Sequence, residues 1–256
     1  EDAARRDFTI NALYADPDSG AVDDWFGGIA DLQKGCVRFI GDAATRIAED
    51  HLRILRFYRF AARFGRGDLE PASHAAVVAA RQSLKSLSRE RVADELTKIL
   101  SLPDPRAILR QMAADGIFAV ILPELADDFA ATLDRLLANE VTARVDPAAL
   151  RRFAALLPPD PAMAEQVASR LRLSTRQRKQ LAALAAHRTA LDRPARQLAH
   201  AIGVDGARDT WLLAGAPDTA KAAALSLRDW AVPPLPMKGG DIIARGVTAG
   251  PEVARI

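Results

Sequence analysis

Asp50 and Arg53 stand three residues apart in the stretch Glu49-Asp50-His51-Leu52-Arg53-Ile54-Leu55-Arg56-Phe57-Tyr58-Arg59. An ionised aspartate only accepts hydrogen bonds, and an arginine only donates them. Cytosine and adenine each present an exocyclic amine beside an acceptor ring nitrogen. Uracil and guanine present the opposite pattern at those edges. An Asp acceptor and an Arg donor on one helical turn therefore match C and A and mismatch U and G. Each good bidentate pairing is worth about 1–3 kcal/mol of discrimination. Rejection is sharpened because a wrong base leaves buried polar groups unpaired. The competing reading is a solvated, salt-bridged helix face. Glu49 with Arg53 and Asp50 with Arg53 are i,i+4 and i,i+3 ion pairs, each worth about 0.2–0.5 kcal/mol. Against it, Arg53, Arg56, Arg59 and Arg63 have only those two acids on the stripe, which leaves charge for an external anion.

A second set lies upstream, in Arg5-Arg6-Asp7 and Asn11. Guanidinium forks match phosphate oxygens bidentately, so paired arginines ahead of a turn suit a phosphate chain. Asp7 and Asn11 are small polar groups able to hydrogen-bond a ribose hydroxyl. The alternative is that Arg6 and Asp7 pair with each other across a turn.

The elements that must position these residues are mostly helices. Apolar positions recur at a 3.6 period and predict one long helix from about Ala43 to Phe64. Ile47, Ala48, Ile54, Leu55, Tyr58, Ala61 and Ala62 share one arc; Arg46, Glu49, Asp50, Arg53, Arg56, Arg59 and Arg63 share the other. Leu52, Phe57, Phe60 and Phe64 intrude on the polar arc, so that side is partly covered. Residues 5–42 carry the only candidate sheet, with strands over 10–15, 21–25 and 36–40 and a short helix over 29–33. Gly27-Gly28 is read as a tight turn between strand and helix. Two or three strands in fewer than 40 residues make a poor independent sheet. Helices follow at 71–85, at 89–101 capped by Ser88, and at 105–115 with Pro105 in the first position. Ile117 to Leu122 is an apolar run ended by Pro123. Further helices fall at 127–139, 147–157, 161–171, 175–191, 194–202, 205–214, 218–230 and 241–245.

The chain has 256 residues, is 49% hydrophobic and 27% charged, and holds 5% aromatics, a mix that favours helix. Cys36 is the one cysteine, which excludes an intrachain disulfide and a thiolate zinc cluster. His51, His74, His187 and His200 show no metal-ligand spacing, and no Gly-rich phosphate loop is present. No run of 18 apolar residues occurs, so no membrane is expected and a cytoplasmic protein is the default. The sequence opens at Glu1 without an initiator Met and runs straight into a patterned segment, which leads us to expect a fragment of a longer chain.

Charge is uneven. Between Arg144 and Arg196, eleven Lys/Arg face four Asp/Glu, a local excess of +7 against +2 for the whole chain. A basic helical half is an electrostatic footprint for a polyanion, or else arginine decorating a solvated surface. Arg170, Arg172, Arg176, Arg178 and Lys179 are the candidate RNA-binding residues in it.

The stretch Arg5-Arg6-Asp7-Phe8-Thr9-Ile10-Asn11-Ala12-Leu13 resembles a motif of the class II tRNA nucleotidyltransferases, the bacterial CCA-adding enzymes and the related poly(A) polymerases. Further stretches are similar to the same family, in order: Asp24-Trp25-Phe26-Gly27-Gly28 with Asp31-Leu32, Arg38-Phe39-Ile40-Gly41-Asp42, Glu49-Asp50-x-x-Arg53-Ile54-Leu55-Arg56-x-x-Arg59, and Glu90-Arg91-Val92-x-x-Glu95-Leu96-x-Lys98-Ile99-Leu100. Leu235-Pro236-Met237-Lys238-Gly239-Gly240-Asp241 with Gly250-Pro251 is similar to a tail segment. The resemblance covers residues 5–101 and 235–251 and is weak between them.

The resemblance implies a mainly α fold: a small α+β remnant of a nucleotidyltransferase head (residues 1–42), a nucleotide-selecting helical neck (43–115) and a tRNA-binding body and tail (116–256). It implies template-independent addition of C and A to the 3′ end of tRNA from CTP and ATP. Base reading falls on Asp50 and Arg53. Phosphate-side and supporting arginines fall on Arg6, Arg56 and Arg59, and ribose contacts fall near Asp7 and Asn11. Glu49 lies in the same motif, and Glu90 and Glu95 fall in a supporting neck helix. The partner is the tRNA acceptor arm, along the basic body and tail. The cofactor is Mg²⁺, held in the family by an Asp-x-Asp pair on a strand ahead of the Arg-Arg-Asp motif, after a Gly-Gly-x-x-Arg-Asp loop. Neither precedes Arg5 here, so those ligands are expected upstream of this chain, and no catalytic or metal-ligating residue is assigned within it. A poly(A) polymerase using ATP alone, or a non-catalytic RNA- or nucleotide-binding fragment, are the alternatives.

Overall fold

Phe8 is the point on which the N-terminal segment turns. It is fully buried, packs against Phe39, Phe57 and Phe60, and bridges Phe39 in antiparallel fashion. The computed structural model describes residues 2–189, 191, 193–234, 239–246 and 248–250. Helix α1 (Asp2–Arg5) precedes Phe8. The expected strand over 10–15 is instead a 3-10 turn (Thr9–Asn11) followed by β1 (Tyr14–Ala15). Asn11 Oδ1 accepts from the Phe8 N–H at 3.1 Å, and this local bond closes the turn. Strand β2 (Val22–Asp23) pairs antiparallel with β1, Tyr14 opposite Asp23 and Ala15 opposite Val22. The expected strand over 36–40 contributes only the Phe8–Phe39 bridge among the described residues.

Helix α2 (Gly28–Lys34) starts where sequence reading placed the tight turn. Gly27 takes φ 76°, and a Cβ on Gly28 would come within 2.2 Å of the Thr9 carbonyl oxygen. Both glycines are therefore required, one by conformation and one by the close approach of α2 to the 3-10 turn.

The long helix expected over 43–64 is two helices, α3 (Ala43–Glu49) and α4 (Arg53–Phe64). Asp50 between them is extended, at φ −152° and ψ 105°. Its Oδ1 accepts from the Leu52 N–H at 3.1 Å and its carbonyl from the Arg53 N–H at 3.0 Å. The short aspartate side chain thus offers the backbone a turn in competition with the helix, and the turn wins. The apolar arc survives the break: Ile47, Ile54, Leu55, Tyr58 and Ala61 are buried, while Ala48 is exposed.

The rest is helical. The series runs α5 (Pro71–Ala79), α6 (Arg89–Leu100), α7 (Arg106–Ala114), α8 (Phe118–Ile121), α9 (Phe129–Ala143), α10 (Ala149–Leu156), α11 (Pro161–Arg170), α12 (Thr175–His187), α13 (Ala195–Ala214), α14 (Pro217–Leu227) and α15 (Gly239–Ala244). The helix expected over 71–85 stops at Ala79 and continues as a 3-10 helix (Arg81–Ser86). Side-chain donors there take carbonyls that an α-helix would use: Arg81 on Val78 at 2.8 Å and Ser83 on Ala80 at 2.7 Å. Ser88 caps α6 as read, but Pro105 sits at the cap of α7 and not in its first turn. The two helices read over 194–202 and 205–214 are the two arms of α13, kinked at Gly203 (φ 77°, ψ 166°). Part of the tail stretch that resembles the family, Leu235 to Lys238 and Pro251, lies outside the described residues.

One contiguous apolar core runs from Phe8 through α4, α6, α7, α9, α10 and α12 to Leu213 and Ala224, across both expected domain borders. Arg151 and Arg152 of α10 lie within it, each 1% exposed. Both converge on Glu140 of α9. Arg151 reaches Glu140 at 2.6 Å and Asp209 of α13 at 2.7 Å; Arg152 reaches Glu140 at 2.7 Å and the Leu100 carbonyl at 2.8 Å. A second node joins α4, α5 and α7: Tyr58 donates to Asp115 Oδ2 at 2.7 Å, and His74 Nε2 lies 2.8 Å from the same oxygen.

Candidate nucleotide-selecting site

The head segment and the α3–α4 break meet around Asp7. This carboxylate is buried and is held by the Arg56 Nε–H, with Arg53 Nε 3.8 Å from its other oxygen. Arg53 also donates to Glu49 at 2.5 Å, to the Arg46 carbonyl at 2.6 Å and to the Arg5 carbonyl at 3.4 Å. Arg46 in turn reaches Glu49 at 2.7 Å and the Arg6 carbonyl at 2.6 Å. Two arginines of the helices, Arg53 and Arg46, therefore grip the carbonyls of Arg5 and Arg6, while Arg56 holds Asp7 with Arg53 beside it. Arg53, Arg56, Asp7 and Glu49 are brought together as one cluster.

Asp50 stands beside this cluster but is held from another direction. Its Oδ2 accepts from Arg91 of α6 at 2.7 Å while Oδ1 is held by the Leu52 N–H. Partial burial pushes its carboxyl up, but the bonds from Arg91 and Leu52 more than offset this and hold it below the usual carboxylate range. Glu49 is lowered as well, chiefly by its bond from Arg53. The i,i+4 pair of Glu49 with Arg53 forms as read. The i,i+3 pair of Asp50 with Arg53 does not, because the break turns the two side chains to different partners.

The count of two acids for four arginines is corrected by distant residues. Asp7 serves Arg53 and Arg56, and Glu95 of α6 serves Arg59 at 2.6 Å and Lys98 at 2.9 Å. Burial pushes the Glu95 carboxyl up, yet the bonds from Lys98 and Arg59 hold it below its ordinary value. Arg59 thus lies apart from the Asp7 cluster, on a cleft of about 770 Å³ that Arg63, Thr97, Lys98 and Ser101 also line. Arg6 is exposed and pairs with Asp2 at 3.0 Å and not with Asp7, so the alternative of an Arg6–Asp7 pair across a turn is not what forms. Asn11 spends its carbonyl oxygen on Phe8.

The basic half divides in two. Arg151 and Arg152 are internal, and Arg188 is half-buried; it donates to the Ala154 and Leu157 carbonyls, and burial lowers its pKa. Arg170 is half-buried on Glu124 and the Ile121 carbonyl. Arg172, at φ 56°, is exposed and reaches Glu90 at 3.2 Å. Arg178 is half-buried, whereas Arg176 and Lys179 are exposed and line a cleft of about 670 Å³ against Arg208, Asp205 and Asp209 of α13. Arg91 escaped sequence reading as a site residue because its partner, Asp50, lies 41 residues away along the chain. Arg151 and Arg152 carried a signal: the residues after them, Phe153 to Leu157, are all apolar, so α10 has no solvated face on which to place them.

Among the described residues no cluster of three or more His, Cys, Asp or Glu could hold a metal ion, so the residues present do not fit the Mg²⁺ that the resemblance implies. No helix among them is long and apolar enough to cross a membrane.

Two family profiles match the chain: the poly A polymerase head domain over residues 1–38, and the probable RNA and SrmB-binding site of polymerase A over residues 68–129. These flank the Asp50–Arg53 break on both sides. Over these residues the chain is similar to the poly(A) polymerases and the tRNA nucleotidyltransferases related to them. Curated relatives agree. A multifunctional CCA protein of Xanthomonas campestris pv. campestris is 43% identical over 130 residues, covering 49% of this chain and 31% of that protein. Poly(A) polymerase I of Haemophilus influenzae is 39% identical over 129 residues, covering 50% of this chain and 28% of that protein. The matched part therefore spans about a third of the length of these relatives. Among solved structures, the Bacillus stearothermophilus CCA-adding enzyme in complex with CTP superposes with a TM-score of 0.74 at 27% identity, over 100% of this chain and 67% of that one. The curated relatives thus share sequence with about half of this chain, and the Bacillus stearothermophilus structure shares its helical path.

Proposed function

We propose that this chain selects nucleotides and holds RNA for template-independent addition of C and A to the 3′ end of tRNA, from CTP and ATP. The observation that carries this reading is the placing of Asp50 and Arg53 on either side of a helix break that faces the head segment. Asp50 accepts and Arg53 donates, the pattern that C and A satisfy and U and G do not. Arg56 and the Asp7 cluster support that pair; Arg6, exposed and held by Asp2 and Tyr14 at the surface, exchanges them for a triphosphate; Arg59 lines a separate cleft further along α4. Asp7 and Asn11 are assigned to the ribose, and Glu49, which accepts from Arg53 at 2.5 Å, orients it. Residues 1–42 serve as the head portion, 43–115 as the neck and 116–256 as body and tail, with Arg170, Arg172, Arg176, Arg178 and Lys179 toward the acceptor arm. The divalent ion of the family is taken to be Mg²⁺ with ligands outside these residues, and a tRNA substrate puts the work in the cytoplasm.

A second reading has a specific observation behind it, since the Haemophilus influenzae relative is a poly(A) polymerase. One experiment separates the two. The full-length gene product is given tRNA lacking its CCA end with each labelled nucleotide in turn. C and A are expected to enter, and U and G to be refused. Incorporation of A alone would replace the CCA reading with the poly(A) one.

RNA binding has its own expected result. Affinity of this chain for tRNA falls steeply as salt rises, because each neutralised phosphate releases counterions. The double variant Arg176→Ala with Lys179→Ala lowers the log–log slope by roughly one for each residue removed. A slope unchanged from the unsubstituted chain would remove this cleft from the RNA path.

A further inference from the structure

The base-reading pair is held by two different parts of the molecule. Arg53 is held by Glu49, Asp7 and backbone carbonyls of the head segment. Asp50 is held by α6, through Arg91 at 2.7 Å. The neighbouring His51 is tied to the same side of the molecule, its Nδ1 3.1 Å from Ser86 Oγ. Both contacts come from residues flanking Ser88, whose Oγ accepts from the Arg91 N–H at 3.3 Å and caps α6. The start of α6 thus fastens two successive residues of the break. A carboxylate has about four lone-pair positions over its two oxygens. With Leu52 on Oδ1 and Arg91 on Oδ2, each oxygen is fixed by one donor and retains one open position. The carboxylate plane is therefore set before any base arrives.

We propose that Arg91 is a positioning residue for nucleotide selection: it fixes the Asp50 carboxylate so that its open lone pairs meet an exocyclic amine and refuse a carbonyl. The inference rests on the base-reading role proposed above for Asp50. Without Arg91, only Leu52 restrains the carboxylate, and rotation about its side-chain bonds lets the group accept from, or turn away from, either kind of base edge. The penalty on U and G comes from an acceptor that cannot turn away from a carbonyl. A loosened carboxylate loses that penalty before it loses binding of the correct nucleotide. Arg91 is about half exposed.

The test measures incorporation of all four nucleotides by the full-length gene product on tRNA lacking its CCA end. Arg91→Ala is expected to lower the preference for C and A over U and G by roughly tenfold, mainly by admitting the wrong nucleotides. Arg91→Lys, which keeps one charged donor, restores most of the preference. In an Asp50→Asn background, Arg91→Ala is expected to add nothing, since the oriented group is already gone. An unchanged preference, an equal loss for all four nucleotides, or a full additional loss on Asp50→Asn would each overturn the proposal. If Arg91→Ala fails to fold, Arg91→Gln takes its place under the same expectations. Should Asp50→Asn alone leave the preference intact, the base-reading role itself fails. Should Asp50→Asn abolish it while Arg91→Ala does not change it, only the positioning role fails.

Discussion

Glu140→Ala is expected to lower the stability of this chain by about 3–5 kcal/mol, the cost of breaking a buried ion pair by removing one partner. Glu140 takes the guanidinium groups of both Arg151 and Arg152, and all three side chains are buried. Its removal leaves Arg151 with Asp209 and the Asp146 carbonyl, and Arg152 with only the backbone carbonyls of Leu100, Leu102 and Pro103. A guanidinium cannot shed its charge to escape, because its pKa stays far above neutrality. The loss falls on the junction of α6, α9, α10 and α13, so unfolding should begin there. For a chain of this size, 1 kcal/mol moves the thermal midpoint by roughly 2–4 °C. A drop on the order of 10 °C is therefore expected in a calorimetric or dichroism scan. Glu49→Ala provides the comparison, since its carboxylate is 44% exposed and surface ion pairs contribute little. A drop for Glu140→Ala no larger than that of Glu49→Ala would show that the buried cluster is not what joins these helices.

These arginines also mark the limit of what local spacing reveals. Periodicity placed nearly every helix, because a helix in a single core must show an apolar face and these do. The same argument failed at Asp50, where a side-chain oxygen bonded to the Leu52 N–H ends α3, and helical periodicity is blind to that competition. Charge counting failed for a different reason. It treated each arginine as surface charge seeking an external anion. Yet Arg56 is answered by Asp7, 49 residues before it, and Arg59 by Glu95, 36 residues after it. Arg151 and Arg152 are answered by Glu140 and Asp209 inside the core. Pairing across such separations depends on tertiary packing and leaves no local trace. What sequence motifs did carry was order: the Arg-Arg-Asp, Glu-Asp-x-x-Arg and Glu-Arg-Val stretches fall on three elements, and the fold brings the first and the third each against the second, at the α3–α4 break.

At that point the largest functional effects are expected. Asp50→Ala and Arg53→Ala should each reduce the preference for C and A over U and G by roughly 5- to 150-fold, corresponding to about 1–3 kcal/mol for a bidentate reading contact. The two losses should differ in kind. In the proposed function Asp50 meets the base through its carboxylate, and it also closes the turn between α3 and α4, so Asp50→Ala removes a local cap worth about 0.5–2 kcal/mol besides the proposed reader. Asp50→Asn keeps an oxygen for the Leu52 N–H while replacing one acceptor with a donor, and should match Asp50→Ala in lost selectivity with less lost stability. Arg53 binds the Arg5 carbonyl and lies beside Asp7, so Arg53→Ala loosens the head segment as well and should weaken binding of every nucleotide in addition to selectivity. Arg53→Lys keeps the charge but loses the planar fork, and should retain affinity better than discrimination. RNA affinity should stay within about twofold in all four variants, because Arg176 and Lys179 line a cleft between α12 and α13 that neither Asp50 nor Arg53 borders. The decisive measurement is the ratio of incorporation across four nucleotides, not the rate with any one. Equal ratios in variant and unsubstituted protein would return the Asp50–Arg53 stretch to the reading it first competes with, a salt-bridged face that holds two helices and a head segment together and reads nothing.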